Sequence, residues 1–134
     1  MQFELSALET HPRFYLRSLR VFVGPDVLLH LSVSNFDTNR MKQRIEDKLL
    51  SPIRSDYVSV ECTYDEQRMS GRGYYQNLCF KIHASATSGQ KIELVEGGSV
   101  DWTQKLLSNA KECLLISGIG SERLVQLFGG DHVV

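Results

Sequence analysis

Apolar and polar positions alternate over several short runs of this chain, so strands are predicted to outnumber helices. Residues 14–23 (FYLRSLRVFV) and 27–34 (VLLHLSVS) flank Gly24-Pro25-Asp26, which predicts a strand, a tight turn and a second strand. A helix is predicted next, capped by Ser34 or Asp37, because Met41, Ile45 and Leu49 recur at every fourth position; Pro52 marks its expected end. From residue 57 to 64 the chain alternates strictly, with Tyr57, Ser59, Glu61 and Thr63 on one side and Val58, Val60, Cys62 and Tyr64 on the other, as in a half-buried strand. The polar stretch 65–73 (DEQRMSGRG) predicts a loop, and residues 74–83 a strand returning beside the previous one as a hairpin.

Small residues over 84–90 predict a turn, and 91–96 a further strand that ends at Gly97-Gly98. Ser99 or Asp101 is placed to cap a helix through Trp102, Leu106 and Leu107 that closes near Asn109. Cys113 to Ile116 is apolar on both sides, the pattern of a central buried strand. Ser121 is placed to cap a last helix over 122–128, with Glu122 at its electropositive end and Gly129-Gly130 closing it; the final four residues are expected to fray. These elements predict an α+β fold, an antiparallel or mixed β-sheet with helices packed on one face.

Composition narrows this picture only a little. The 134 residues suit one domain, and 42% hydrophobic residues supply one core. A net charge of −1 offers no bulk attraction to nucleic acid or an anionic membrane. Cys62, Cys79 and Cys113 form no CxxC pair, so neither a zinc site nor a disulfide framework is expected, and all three read as small hydrophobes in strands. His11, His30, His83 and His132 are dispersed, and no metal site is expected from them. The longest apolar stretch is broken by Gly24-Pro25-Asp26 and fits neither a signal peptide nor a membrane span, so the expected location is cytoplasmic. SGIG (117–120) lacks the spacing and the lysine of a phosphate loop and reads as a tight strand-to-helix turn. Arg13, Arg17 and Arg20 with Phe14 and Tyr15 make a basic, aromatic stretch that offers RNA as a less favoured partner.

Three blocks between residues 57 and 128 carry a resemblance. SGRGYYQNLCFK (70–81) is similar to a stretch of the type RGLDYYTGxVFE, GGSVD (97–101) to a GGRYD block, and SGIGSERLVQLF (117–128) to a glycine-rich strand end and helix of the type GxxIGLERL. In that order and spacing they resemble the catalytic core of class II aminoacyl-tRNA synthetases, the histidyl-tRNA synthetase branch in particular. The resemblance implies a synthetase-core fold and a ligand site drawn from Tyr74, Tyr75, Gly97, Gly98 and Arg123, with Arg123 at the place of the arginine that lies against ATP.

The departures from the family pattern decide the functional expectation. Ser70 stands where the family has its catalytic arginine, with Arg68 and Arg72 nearby in shifted register; Ser99 and Val100 replace the arginine and tyrosine of the second block, and Lys81 replaces the glutamate ending the first. A second ATP-clamping arginine would have to be Arg17 or Arg20 on a shortened early hairpin. Adenylate formation needs preorganised positive charge at the phosphates, and most of it is missing. The chain therefore resembles a degenerate, shortened relative of the synthetase, with no catalytic residues and no cofactor, acting as a regulatory, protein-interaction or assembly module. Family precedents of this kind are a regulatory subunit in histidine biosynthesis and a sensor region of a translation-initiation kinase. Its expected partner is another protein or a second copy of itself. The alternative is a minimal ligase or transferase that still binds ATP or an amino acid.

Overall fold

The computed structural model describes residues 2–36, 39–57, 59–85, 89–109 and 114–128. Its first element is a helix, α1 (Gln2–Val23), where a strand is predicted from residue 14 onward. The aromatic and β-branched run 14–23 misleads because helical spacing outweighs it. Leu5, Leu8, Leu16 and Leu19 recur at intervals of three, eight and three and are all buried, a stripe that only a 3.6-residue period keeps on one side. Pro12 lies inside α1 and Gly24, at φ +89°, ends it, its N–H bonding the Arg20 carbonyl at 3.1 Å. No early hairpin exists, therefore, and Arg17 and Arg20 lie on a helix.

Strand β1 (Leu28–Asn35) follows, then a helical run from residue 39 to 56. That run contains α2 (Lys42–Ile45), one wide π turn (Glu46–Leu50) and α3 (Ser51–Asp56). Pro52 does not stop it. The wide turn immediately precedes the proline, where the widened backbone accommodates a ring that lacks an N–H and would press on the carbonyl four residues back in a regular helix. Ile45, Leu49, Leu50 and Ile53 are buried, while Met41 is partly so, and Asp37 lies outside the described residues.

The remaining strands are β2 (Val60–Tyr64), β3 (Leu78–Ser85), β4 (Lys91–Val100) and β5 (Leu114–Ile119), with α4 (Trp102–Leu107) and α5 (Ser121–Phe128) after β4 and β5. With β1 they form, among the described residues, a mixed sheet in the order β2-β1-β3-β4-β5, in which β1 and β2 run parallel and the other neighbours antiparallel. The expected hairpin between β2 and the next strand is absent, because the helical run carries the chain over to a parallel pairing with β1. β4 continues through Gly97 and Gly98 instead of ending there, and Ser99 is part of the strand. Among the described residues β5 is an edge strand, flanked by β4 alone and only half-buried, not the central strand its apolar run suggests. Cys113, the closing glycines 129–130 and the last four residues lie outside the described residues.

Alternation sorts the sheet into two faces. Leu29, Leu31, Val33, Val60, Cys62, Phe80 and Ile82 point to one face and form the core with α1 and the 39–56 helices; Leu124 of α5 joins them. The opposite face carries His30, Ser32, Ser34, Glu61, Lys81, His83, Glu93 and Glu96. One end of that polar face is covered by the 65–77 loop, whose Tyr75 packs with Cys79 and Val100. No helix among the described residues is long and apolar enough to cross a membrane.

Candidate functional site

The polar face is built by register. Ser32, Lys81 and Glu96 lie side by side across β1, β3 and β4, and Glu61, His30, His83 and Glu93 make the adjacent row across four strands. The loop over residues 65–77 folds back onto the end of this surface. Gly71, at φ +84°, allows that return: a Cβ there would stand 2.9 Å from the Tyr75 ring.

Tyr75 is buried against Gly98, where an added Cβ would come within 2.6 Å of the ring. Its hydroxyl donates to Glu96 Oε1 at 3.0 Å. Burial, and then the Glu96 carboxylate, push the Tyr75 phenol well above its ordinary range. Arg68 reaches the same carboxylate, Nη2 to Oε2 at 3.3 Å, with only 3% of its side chain exposed. Its guanidinium lies between the Phe36 and Tyr75 rings, at 5.8 and 5.7 Å from their centroids, and its Nε donates to the Ser70 carbonyl at 2.9 Å. Among the described residues neither Nη atom has a hydrogen-bond acceptor in good geometry. Arg68 and Glu96 escape a sequence reading because they are far apart in the chain and carry no local motif; only the polar positions of β4 hint at them.

The five residues proposed from sequence separate into distinct roles. Tyr75 and Gly98 meet, as described. Tyr74 is exposed and packs edge-on to Tyr75 and to Trp102 of α4, at 5.0 and 6.1 Å between centroids. Gly97 faces the opposite side of the sheet, where an added Cβ would fall 2.6 Å from Phe80 and 2.7 Å from the Ile116 carbonyl oxygen. Arg123 stands apart from the tyrosines, at the start of α5, and donates from Nη1 to the Glu93 carbonyl. With Gly118 and Gly120 it borders a shallow depression of about 260 Å³ that Glu93 and Glu96 also line, the Glu93 carboxylate pairing with Lys81 at 3.5 Å and that of Glu96 with Tyr75 and Arg68. Arg20 is engaged elsewhere: its guanidinium donates to the carbonyls of Gly24, Val27 and Ser59 at 3.0, 2.6 and 3.0 Å, tying the end of α1 to β1 and the approach to β2. Arg17 is exposed on α1.

Cys62 and Cys79 are buried, and burial pushes both thiols up to about 11, so at neutral pH they are protonated and inert. Among the described residues no group of three or more His, Cys, Asp or Glu could hold a metal ion.

His30 and His83 stack with centroids 4.7 Å apart and planes 6° from parallel. Burial, and then the charges of His30, Lys91 and Lys81 against the weaker pull of Glu61, hold His83 down at about 4. The unfolded chain takes up that proton near pH 6.5 while the folded one refuses it, so stability is full above about pH 6.5 and falls as the pH drops toward 4. The loss amounts to at most about 3 kcal/mol. Urea melts at pH 7 and pH 4.5 are expected to show it in the wild type and to show a clearly smaller loss in His83→Gln; equal losses in the two proteins would refute the assignment to His83.

No family model matches the chain, and no curated protein matches it. Among solved structures, the crystal structure of apo S. aureus histidyl-tRNA synthetase superposes with a TM-score of 0.63 at 14% sequence identity, over 94% of this chain and 37% of that one. The fold is synthetase-like. At this identity the likeness extends to the path of the chain, and the chain spans little more than a third of the enzyme it overlays.

Proposed function

We propose that this chain is a synthetase-like module, non-catalytic in the synthetase reaction, with a regulatory or assembly role, working through a protein partner or a second copy of itself. The observation that carries the reading is the self-occupied polar face. The Tyr75 ring lies on Gly98, its hydroxyl is bound to Glu96, and the Arg68 guanidinium fills the space between Phe36, Tyr75 and Glu96. Side chains that would have to turn toward an amino acid or a nucleotide are bonded to one another. At the Arg123 end, the arginine is bonded to the Glu93 backbone carbonyl, while Lys81 and Arg68 face the carboxylates of Glu93 and Glu96, so these cations too are engaged within the protein. Exposed Tyr74, Trp102, Leu106 and Leu107 leave apolar surface beside the loop, which suits contact with another protein.

Amino-acid-dependent exchange of pyrophosphate into ATP tests this directly, because adenylate formation is the first step of the synthetase reaction. The expected result is no exchange above a blank, with histidine or with any other standard amino acid. Exchange that Arg123→Ala abolishes would instead establish the minimal ATP- and amino-acid-using ligase.

A further inference from the structure

The polar face carries a second cluster, on the row adjacent to Glu96, that the synthetase resemblance does not involve. Ser85 Oγ lies 3.0 Å from His30 Nε2, and His30 Nδ1 lies 3.0 Å from Glu61 Oε2. The sheet makes this arrangement by register: His30 is the direct partner of Glu61 on β2, while Ser85, two residues beyond His83 on β3, is its diagonal neighbour. An ionised carboxylate only accepts hydrogen bonds, so Nδ1 carries the imidazole proton and donates it to Glu61. Nε2 is then the acceptor, and the Ser85 hydroxyl donates to it. Nucleophile, base and orienting carboxylate are thus connected in the order and protonation pattern of acyl-transfer enzymes.

The surroundings suit that chemistry. His30 keeps 16% of its side chain exposed and Ser85 is half-buried, so the hydroxyl is reachable while the base is held in place. His83 stacks on the His30 ring and fixes its plane. Lys91 is the direct cross-strand partner of Ser85, and its charge is felt at His83, which places an ammonium group on the same side as the hydroxyl. Half-buried Leu28 is the partner of Ser85 on the other side, an apolar contact for a short acyl chain.

We infer that Ser85, His30 and Glu61 form a hydrolytic site for short-chain carboxylic esters. Ser85 Oγ attacks the ester carbonyl carbon as its proton passes to His30 Nε2; Lys91 faces the developing oxyanion. The carbonyl-to-alkoxy bond breaks, and the leaving alcohol takes the proton from His30, leaving acyl-Ser85. Water then attacks the acyl carbon, giving one proton to His30, which returns it to Ser85 Oγ as the acid departs. Ester and water become acid and alcohol. Glu61 touches no reacting atom and acts as a positioning residue for His30. The inference is independent of the regulatory reading above.

p-Nitrophenyl butyrate hydrolysis by the full chain tests it, together with labelling by a fluorophosphonate, which bonds an activated serine and expels fluoride. Saturable turnover is expected, with one label per chain located by peptide mass spectrometry on Ser85. Ser85→Ala and His30→Gln are expected to lose about 100-fold or more in kcat, and Glu61→Gln about tenfold in kcat with KM unchanged. Thermal midpoints of the three variants serve to separate chemistry from misfolding, and the wild-type label serves as a readout that needs no variant. Wild-type turnover no greater than that of Ser85→Ala, or a label found on another residue, would overturn the proposal.

Discussion

Replacing Glu96 by alanine is expected to cost about 3 kcal/mol of folding stability. The carboxylate serves two buried groups at once. It accepts the Tyr75 hydroxyl at 3.0 Å and faces the Arg68 guanidinium at 3.3 Å, and Arg68 is almost wholly excluded from water. Removing Glu96 leaves a buried cation without its counter-charge and a phenol without its acceptor, the second of which alone costs about 1 to 3 kcal/mol. Glu96→Gln keeps an acceptor for Tyr75 and loses only the charge, so it is expected to fall between the two. Adding Arg68→Met to Glu96→Ala is expected to recover part of the loss, since a neutral side chain of similar length no longer needs a partner. Urea denaturation of the four proteins measures all of this. A loss below about 1 kcal/mol in Glu96→Ala would mean that the loop does not hold the face in the manner described.

Gly98→Val is the second large effect, expected at about 3 kcal/mol, at the upper end for forcing extra carbons into a packed interior. A Cβ at this position meets the Tyr75 ring at 2.6 Å and the Leu78 carbonyl oxygen at 2.8 Å, and the latter is backbone that cannot rotate away. Gly118→Ala, on the neighbouring strand with nothing within 4 Å of the added carbon, is the matched control and is expected to change stability by no more than about 0.5 kcal/mol. The pair of measurements distinguishes a packing glycine from a ligand-binding one. A tolerated valine at Gly98 would show that the Tyr75 ring readily leaves the sheet and that the face opens.

Much of the sheet was legible in the sequence, because a half-buried strand leaves a two-residue alternation whatever its neighbours are. Val60 and Cys62 point inward as the alternation requires and β1 falls where its apolar run lies, whereas β2 begins at Val60 instead of residue 57 and β3 at Leu78 instead of residue 74, since Tyr74 and Tyr75 belong to the loop. From residue 14 onward α1 is disguised, because Phe14, Tyr15, Val21 and Phe22 favour strands locally, while the deciding signal, Leu5 to Leu19, spans four turns and crosses Pro12. Strand neighbours were less legible. Nothing in the residues of β2 says that it pairs with β1 rather than β3, and the apolar character of β5 did not reveal that it would lie at an edge.

The candidate site was legible in part. The tyrosine and glycine blocks do meet, as Tyr75 on Gly98, yet Gly97 turns to the core face and Arg123 stands at a separate depression. Arg68, which closes the face, sits two residues from the position where the family motif places its arginine, and register alone gives no reason to expect its burial between two rings. The stacked His30 and His83, and the link from Ser85 through His30 to Glu61, depend on three strands whose adjacency the sequence does not encode locally.

The central claim is that the polar face is occupied by the protein's own side chains and holds neither ATP nor an amino acid. Thermal melting of the full chain with and without millimolar ATP-Mg and histidine tests it most directly, since any ligand that binds only the folded state raises the midpoint by mass action. The account predicts an unchanged midpoint. A rise of several degrees that disappears in Arg123→Ala would contradict it and place a working nucleotide or amino-acid site on the synthetase-like sheet.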